Sequence, residues 1–152
     1  FIKLFTGGKH VSLALNAMAF GSNNAHQKNP RTDFDWLSRD NANVDKYIAD
    51  KWCGFPCTVG FFHDMFNGLC RIHTKKSMAA IPQALPMHII CGTEDPVGTY
   101  GKTVSALYAI YKKNGMKEVD LKLYEGGRHE LLNETNRDEV EQDLLSWIEA
   151  HL

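Results

Sequence analysis

The spacing of apolar residues along this chain changes character near Ile81-Pro82. Before that point helical patterns are broken by irregular polar stretches; after it, strand-like and helix-like patterns alternate. Residues 1–20 carry apolar positions at mixed helical spacing around Thr6-Gly7-Gly8-Lys9, which predicts two short helices or one interrupted helix. The polar, Asn-rich stretch 21–32 predicts a loop. Val44, Tyr47 and Ile48 share one face of a short predicted helix, and Phe61, Phe62, Met65, Phe66 and Leu69 line one face of a longer one.

The second half reads more simply. Pro86 opens the run Met87 to Cys91, which predicts a central strand covered on both faces. A helix is predicted over Tyr100 to Asn114, with Val104, Leu107, Tyr108 and Tyr111 on one face, Lys112 and Lys113 suited to the dipole of its last turn, and Gly115 closing it. Val119, Leu121 and Leu123 then alternate with Asp120, Lys122 and Tyr124, as in a half-exposed strand near a sheet edge. Asn136, with Glu139 three residues on, is placed to cap a final helix that buries Val140, Leu144, Trp147, Ile148 and Leu152. Two strands joined by one helix at this spacing are expected to be parallel, with a right-handed crossover.

That topology gives meaning to two turns. Gly92-Thr93-Glu94-Asp95-Pro96-Val97-Gly98 follows the first strand, and Glu125-Gly126-Gly127-Arg128-His129-Glu130 follows the second. The carboxyl ends of parallel strands share one rim of the sheet, so Asp95 and His129 are expected to meet there. An acid turn, a helix, a strand and a base turn is the order in which the last two members of a Ser…Asp…His triad occur. His129 would serve as general base, oriented and stabilised as a cation by Asp95. Taken singly, each could be an ordinary polar turn residue. No nucleophile accompanies them: Ser12, Ser22, Ser38, Ser77, Ser105 and Ser146 all lack the Gly-x-Ser-x-Gly frame of a tight strand-to-helix elbow, and no cysteine sits in an equivalent frame.

Composition narrows the classes. With 43% hydrophobic and 11% aromatic residues, 152 residues can bury a core. A formal net charge of −1 predicts no broad field for nucleic acid or an anionic membrane, and the pairs Lys75-Lys76 and Lys112-Lys113 read as solvated surface. No run is long and apolar enough for a transmembrane segment, and no signal-peptide pattern opens the chain, which starts Phe1-Ile2-Lys3 as a truncated or processed product would. Reduced Cys53, Cys57, Cys70 and Cys91 and a cytoplasmic location are expected. Cys53-x-x-x-Cys57 lacks zinc-type spacing, so no metal is expected, and Cys91 reads as a small core residue.

From about Phe20 onward the chain resembles the C-terminal half of bacterial lysophospholipases and monoacylglycerol lipases of the α/β-hydrolase superfamily. The resemblance is carried by Thr32-Asp33-Phe34-Asp35-Trp36-Leu37-Ser38-Arg39-Asp40, Val44-Asp45-Lys46-Tyr47 with Asp50, Cys53-Gly54-Phe55, and the two turns that hold Asp95 and His129. It implies an α/β fold in which residues 1–80 form a helical cap and residues 81–152 the C-terminal strand-helix-strand-helix part of the core. It implies that Asp95 and His129 are the triad acid and base of a serine ester hydrolase that needs no cofactor and acts on lipid-like esters. Phe61, Phe62, Met65 and Phe66 fall in the cap whose apolar face holds the acyl chain, although packing within the cap explains such a stripe equally well. The chain departs from the family at Lys51, where proline is usual, and in lacking the nucleophile and oxyanion hole, so alone it is expected to be inactive. A non-catalytic module that uses the cap to dock an apolar ligand or a protein is the other reading. With one neighbour missing, the strand Met87 to Cys91 is expected to recruit an N-terminal half of the same enzyme, or a second copy, along its open edge.

Overall fold

The computed structural model of the chain describes residues 7–152. In chain order its elements are α1 (Leu13–Phe20), a 3-10 turn (Asp35–Leu37), α2 (Asn41–Ala49), α3 (Val59–Ile72), α4 (Lys75–Ala79), β1 (Met87–Gly92), α5 (Lys102–Lys113), β2 (Val119–Tyr124), a second 3-10 turn (Leu131–Asn133) and α6 (Arg137–Glu149). They form two compact units, one of residues up to Ser22 with Asp50–Ile81, the other of Asn23–Ala49 with Pro82–Leu152. The expected boundary near residue 80 thus corresponds to one end of a unit, while residues 23–49 group with the C-terminal residues. The physical reason is a set of polar links from Asp35, Ser38 and Arg39 to residues 128–136.

In the first unit, Val11 bridges antiparallel to Thr58, and α1 starts where the Ser12 hydroxyl accepts the N–H of Leu15. The helix expected before residue 20 is therefore present from Leu13, while residues 1–6 lie outside the described residues. The hydroxyl of Thr58 accepts the N–H of Phe61 to cap α3, satisfying one of the free donors of its first turn. The apolar stripe of α3 does not face one way: Val59 and Phe62 are buried, whereas Phe61, Phe66 and Leu69 stay largely exposed. Positions 61 and 62 stand about 100° apart on a helix, so a stripe that includes both is wider than the face this unit buries.

In the second unit β1 and β2 pair in parallel, from Met87 opposite Val119 to Gly92 opposite Tyr124. Among the described residues β1 has this one neighbour, and its residues 87–90 are half-buried rather than covered on both faces. β2 breaks its expected alternation at the end, where Leu123 is exposed and Tyr124 is buried. The Tyr124 ring belongs to the core with Leu131 and Val140, and its hydroxyl donates to Asp143 Oδ2 at 2.9 Å, so the polar tip is satisfied. α6 contributes Val140 and Leu144 to this core, but Ile148 and Leu152, expected inside, are exposed. Asn136 stands at the start of α6 without capping its backbone; its side chain is engaged by Arg39 and Glu139 instead.

Candidate active site

The turn after β1 is built for a fixed carboxylate. The N–H of Asp95 donates to the Gly92 carbonyl at 3.2 Å, and the N–H of Tyr100 donates to the Asp95 carbonyl at 2.8 Å, which closes the turn on both sides. Asp95 Oδ1 accepts the N–H of Val97 at 2.9 Å, an Asx-type bond within the turn. Its Oδ2 accepts from the Cys91 thiol at 3.5 Å. Burial, reinforced by Asp95, pushes that thiol up to about 12, so it remains a protonated donor at neutral pH. A Cβ on Gly98 would lie 2.6 Å from Cys91 Sγ and 3.3 Å from Asp95 Oδ2, so only glycine leaves room for this pairing.

The turn after β2 is stitched to the first. The N–H groups of Thr93 and Glu94 donate to the carbonyls of Tyr124 and Gly127, each at 2.9 Å, and the N–H of Gly126 donates to the Thr93 hydroxyl at 2.8 Å. The approach is so close that a Cβ on Gly92 would fall 2.0 Å from the Gly127 carbonyl oxygen. Beyond this crossing the chain is held by the 35–39 segment. The N–H groups of His129 and Glu130 donate to the carbonyls of Trp36 and Leu37 at 3.3 and 2.8 Å, and the Arg128 guanidinium donates to the carbonyls of Asp35 and Ser38 at 2.6 and 2.9 Å. The Trp36 and His129 rings lie 5.2 Å apart, centroid to centroid.

These two turns bring His129 Nδ1 to 3.1 Å from Asp95 Oδ1. Asp95 is 7% exposed, while the His129 side chain is 37% exposed, so the acid is enclosed and the imidazole reaches the surface. Burial alone would raise the Asp95 carboxyl; the hydrogen bond and charge of His129, with the N–H groups of Val97 and Gly98, outweigh it and hold the carboxyl below its ordinary value. For His129 the hydrogen bond to Asp95 is the largest influence and raises its pKa; burial opposes the rise, and the charges of Asp95 and Glu130 add to it. The two shifts agree in sense: each partner favours the charged form of the other. With Nδ1–H donating a hydrogen bond to the ionised carboxylate, the imidazole keeps Nε2 as the nitrogen able to take a proton from a third group.

The aromatic candidates are in the other unit, on α3. Phe62 is buried, its ring 5.4 Å from that of Phe61 and 6.2 Å from those of Phe20 and Phe66, as befits a packing residue. Phe61 and Phe66 are about half exposed, and Met65 lies between those extremes. Among the described residues no group of His, Cys, Asp and Glu is assembled to hold a metal, and no helix is long and apolar enough to cross a membrane.

The supports of His129 were not evident from the sequence. Trp36, Arg39, Arg128 and Glu134 meet around its turn although they are spread over nearly the whole second unit. The run Asp35-Trp36-Leu37-Ser38-Arg39-Asp40 enters the sequence analysis only through the family resemblance, which names no partner for it.

The sequence profile of the serine aminopeptidase S33 family, a hydrolase family, matches residues 5–136. Two solved structures superpose over nearly the whole chain. One is a highly thermostable carboxyl esterase from Bacillus coagulans in complex with glycerol, with a TM-score of 0.86, 27% identity, and coverage of 98% of this chain and 49% of that one. The other is a lipase in an open form, with a TM-score of 0.85, 25% identity, and coverage of 97% of this chain and 48% of that one. The chain therefore spans about half the length of the structures it matches. No curated protein matches it.

Proposed function

Since the chain belongs to the serine aminopeptidase S33 family and has the fold of the C-terminal portion of an α/β-hydrolase, we propose that it supplies the triad acid, Asp95, and the triad base, His129, of a serine hydrolase that cleaves carboxylic esters. The observation that carries this reading is the 3.1 Å approach of His129 Nδ1 to Asp95 Oδ1 at the carboxyl ends of two paired parallel strands. In the reaction Nε2 of His129 takes the proton of a serine hydroxyl as it attacks the ester carbonyl, then returns it to the departing alcohol. Asp95 keeps Nδ1 as the donor side and stabilises the imidazolium while it exists. No serine of this sequence has the elbow frame, so the nucleophile and the oxyanion donors come from a segment outside these residues.

Esters are favoured over peptides because both matched structures are described as ester-cleaving enzymes, an esterase and a lipase. Within that class we assign lipid-like esters, lysophospholipids or monoacylglycerols, on the half-exposed apolar residues Phe61, Met65 and Phe66 of α3; Phe62 is buried and packs its ring against those of Phe61 and Phe66. The edge of β1 away from β2 takes a strand of the remaining half of the same fold or of a second copy. The test joins this chain to the residues encoded upstream of Phe1 and assays short p-nitrophenyl esters. His129→Ala is expected to lower kcat by at least about a thousandfold with the fold intact. Retained ester cleavage in that variant would refute the assignment.

A further inference from the structure

The side chain of Glu134 is 0% exposed, and a carboxylate so enclosed is costly unless its lone pairs are met by donors. Four N–H groups meet them here. Oε1 accepts from the backbone N–H of Arg39 at 3.1 Å and of Arg128 at 2.9 Å; Oε2 accepts from Arg39 Nε at 2.8 Å and from the N–H of Thr135 at 3.1 Å. Arg39 is itself held, its Nη2 donating to Asn136 Oδ1 at 2.7 Å. A buried ion pair contributes little net stability compared with an apolar replacement, but it specifies position, because each donor must lie on a lone pair. What it specifies is the backbone of Arg128, the residue before His129. The same 35–39 segment that Arg39 belongs to accepts the N–H of His129 and of Glu130, so one carboxylate joins both sides of the histidine's cradle.

We propose that Glu134, held by Arg39, is a positioning residue that sets where His129 presents its imidazole to Asp95. This rests on the reading of His129 as the general base; the four hydrogen bonds of Glu134 described above go to neither the ring nor the carboxylate of the pair. Replacing it with Gln puts an NH2 group where one pair of donors now finds oxygen, so two donors lose their acceptor and the turn shifts. The pairing of His129 with Asp95 then loosens, and with it the influence that raises the imidazole.

The test is an NMR titration of His129 in this chain, read in Glu134→Gln and in Arg39→Met. The acidic groups that raise His129 are Asp95 and Glu130, and Arg128 precedes it in the chain. Glu134→Gln is expected to lower the His129 pKa by about half a unit or more, roughly a threefold change in its proton affinity. Arg39→Met separates geometry from charge: loss of a nearby cation by charge alone raises the His129 pKa, whereas loss of the hold on Glu134 lowers it. A fall in Arg39→Met supports the positioning role, and an unchanged or raised value overturns it. Arg39→Met strips the enclosed Glu134 carboxylate of its cation and can itself fail to fold, so Arg39→Lys is the further variant: it keeps the charge and loses the Nε and Nη2 donors, and a fall in its His129 pKa supports the positioning role while an unchanged or raised value overturns it. The titration involves no substrate, so its failure is distinct from failure of the ester-hydrolase reading, which His129→Ala decides.

Discussion

Asp95 is held by the residues around it in sequence: the Gly92 carbonyl, the Cys91 thiol and the N–H of Val97 all lie within four positions. His129 is held from elsewhere, through the carbonyls of Trp36 and Leu37, through Arg128 reaching the carbonyls of Asp35 and Ser38, and through Glu134. The Asp95 carboxylate is fixed chiefly within its own turn, which is tied to the second turn through Thr93 and Glu94; the turn of His129 borrows its position from a segment about ninety residues away in the chain. Two halves of one site thus differ in how robust they are. The acid depends on a few neighbouring residues being right, and the base depends on the packing of the whole unit.

The largest loss is expected where the two turns cross. Gly92→Ala forces a methyl against the Gly127 carbonyl, which is backbone and cannot rotate away, so a loss of about 3 kcal/mol is expected by urea unfolding, with both turns disordered together. Arg128→Met removes the distant support of His129 alone. Losing two charge-assisted bonds to carbonyls should cost about 2 kcal/mol. Hydrogen exchange should then quicken at His129 and Glu130 while the N–H of Asp95 and of Tyr100 keep their protection. Loss of protection in both turns would show that the acid turn is not self-supporting.

The smallest effect is the pH dependence that the pair itself contributes. His129 has a raised pKa in the folded chain, so its contribution is complete below its unfolded value, near 6.5, and is lost as pH rises through the folded value. Asp95 has a lowered pKa, so its contribution is complete above its unfolded value, near 3.9, and is lost as pH falls through the folded one. The pair therefore stabilises the fold most between about pH 4 and pH 6.5. Asp95→Asn should flatten the decline on the alkaline side and bring the His129 titration down; a His129 titration unmoved by that change would mean the two are not coupled.

The same contrast explains what could be read from the sequence. Asp95 and His129 stood out because each follows an apolar run in a short Gly-bearing turn, and the spans of α5 and α6 followed from their apolar period and Gly115. Tyr124 was misjudged because alternation assigns a face without knowing that Asp143, on α6, waits for its hydroxyl. Asn136 has the form of a helix cap, yet Arg39 and Glu139 compete for its side chain and win. Glu134 carried no signal at all: a glutamate among polar residues looks solvated until the fold closes Arg39, Arg128 and Thr135 around it. Local patterns were legible, and the partners of polar side chains were not.

The close crossing at Gly92 also limits how the strands can slide. Parallel strands of this length could pair in neighbouring alignments, because their backbone donors and acceptors repeat. Moving β1 by two residues, the step that restores its hydrogen-bonding direction and side-chain faces, would bring Ile90 or Glu94 to the place of Gly92, against the Gly127 carbonyl, where a Cβ has no room. The missing methyl thus works as an indexing notch that admits a single alignment. A slip of two residues is about 6.6 Å along a strand, enough to part an imidazole from a carboxylate that now stand 3.1 Å apart.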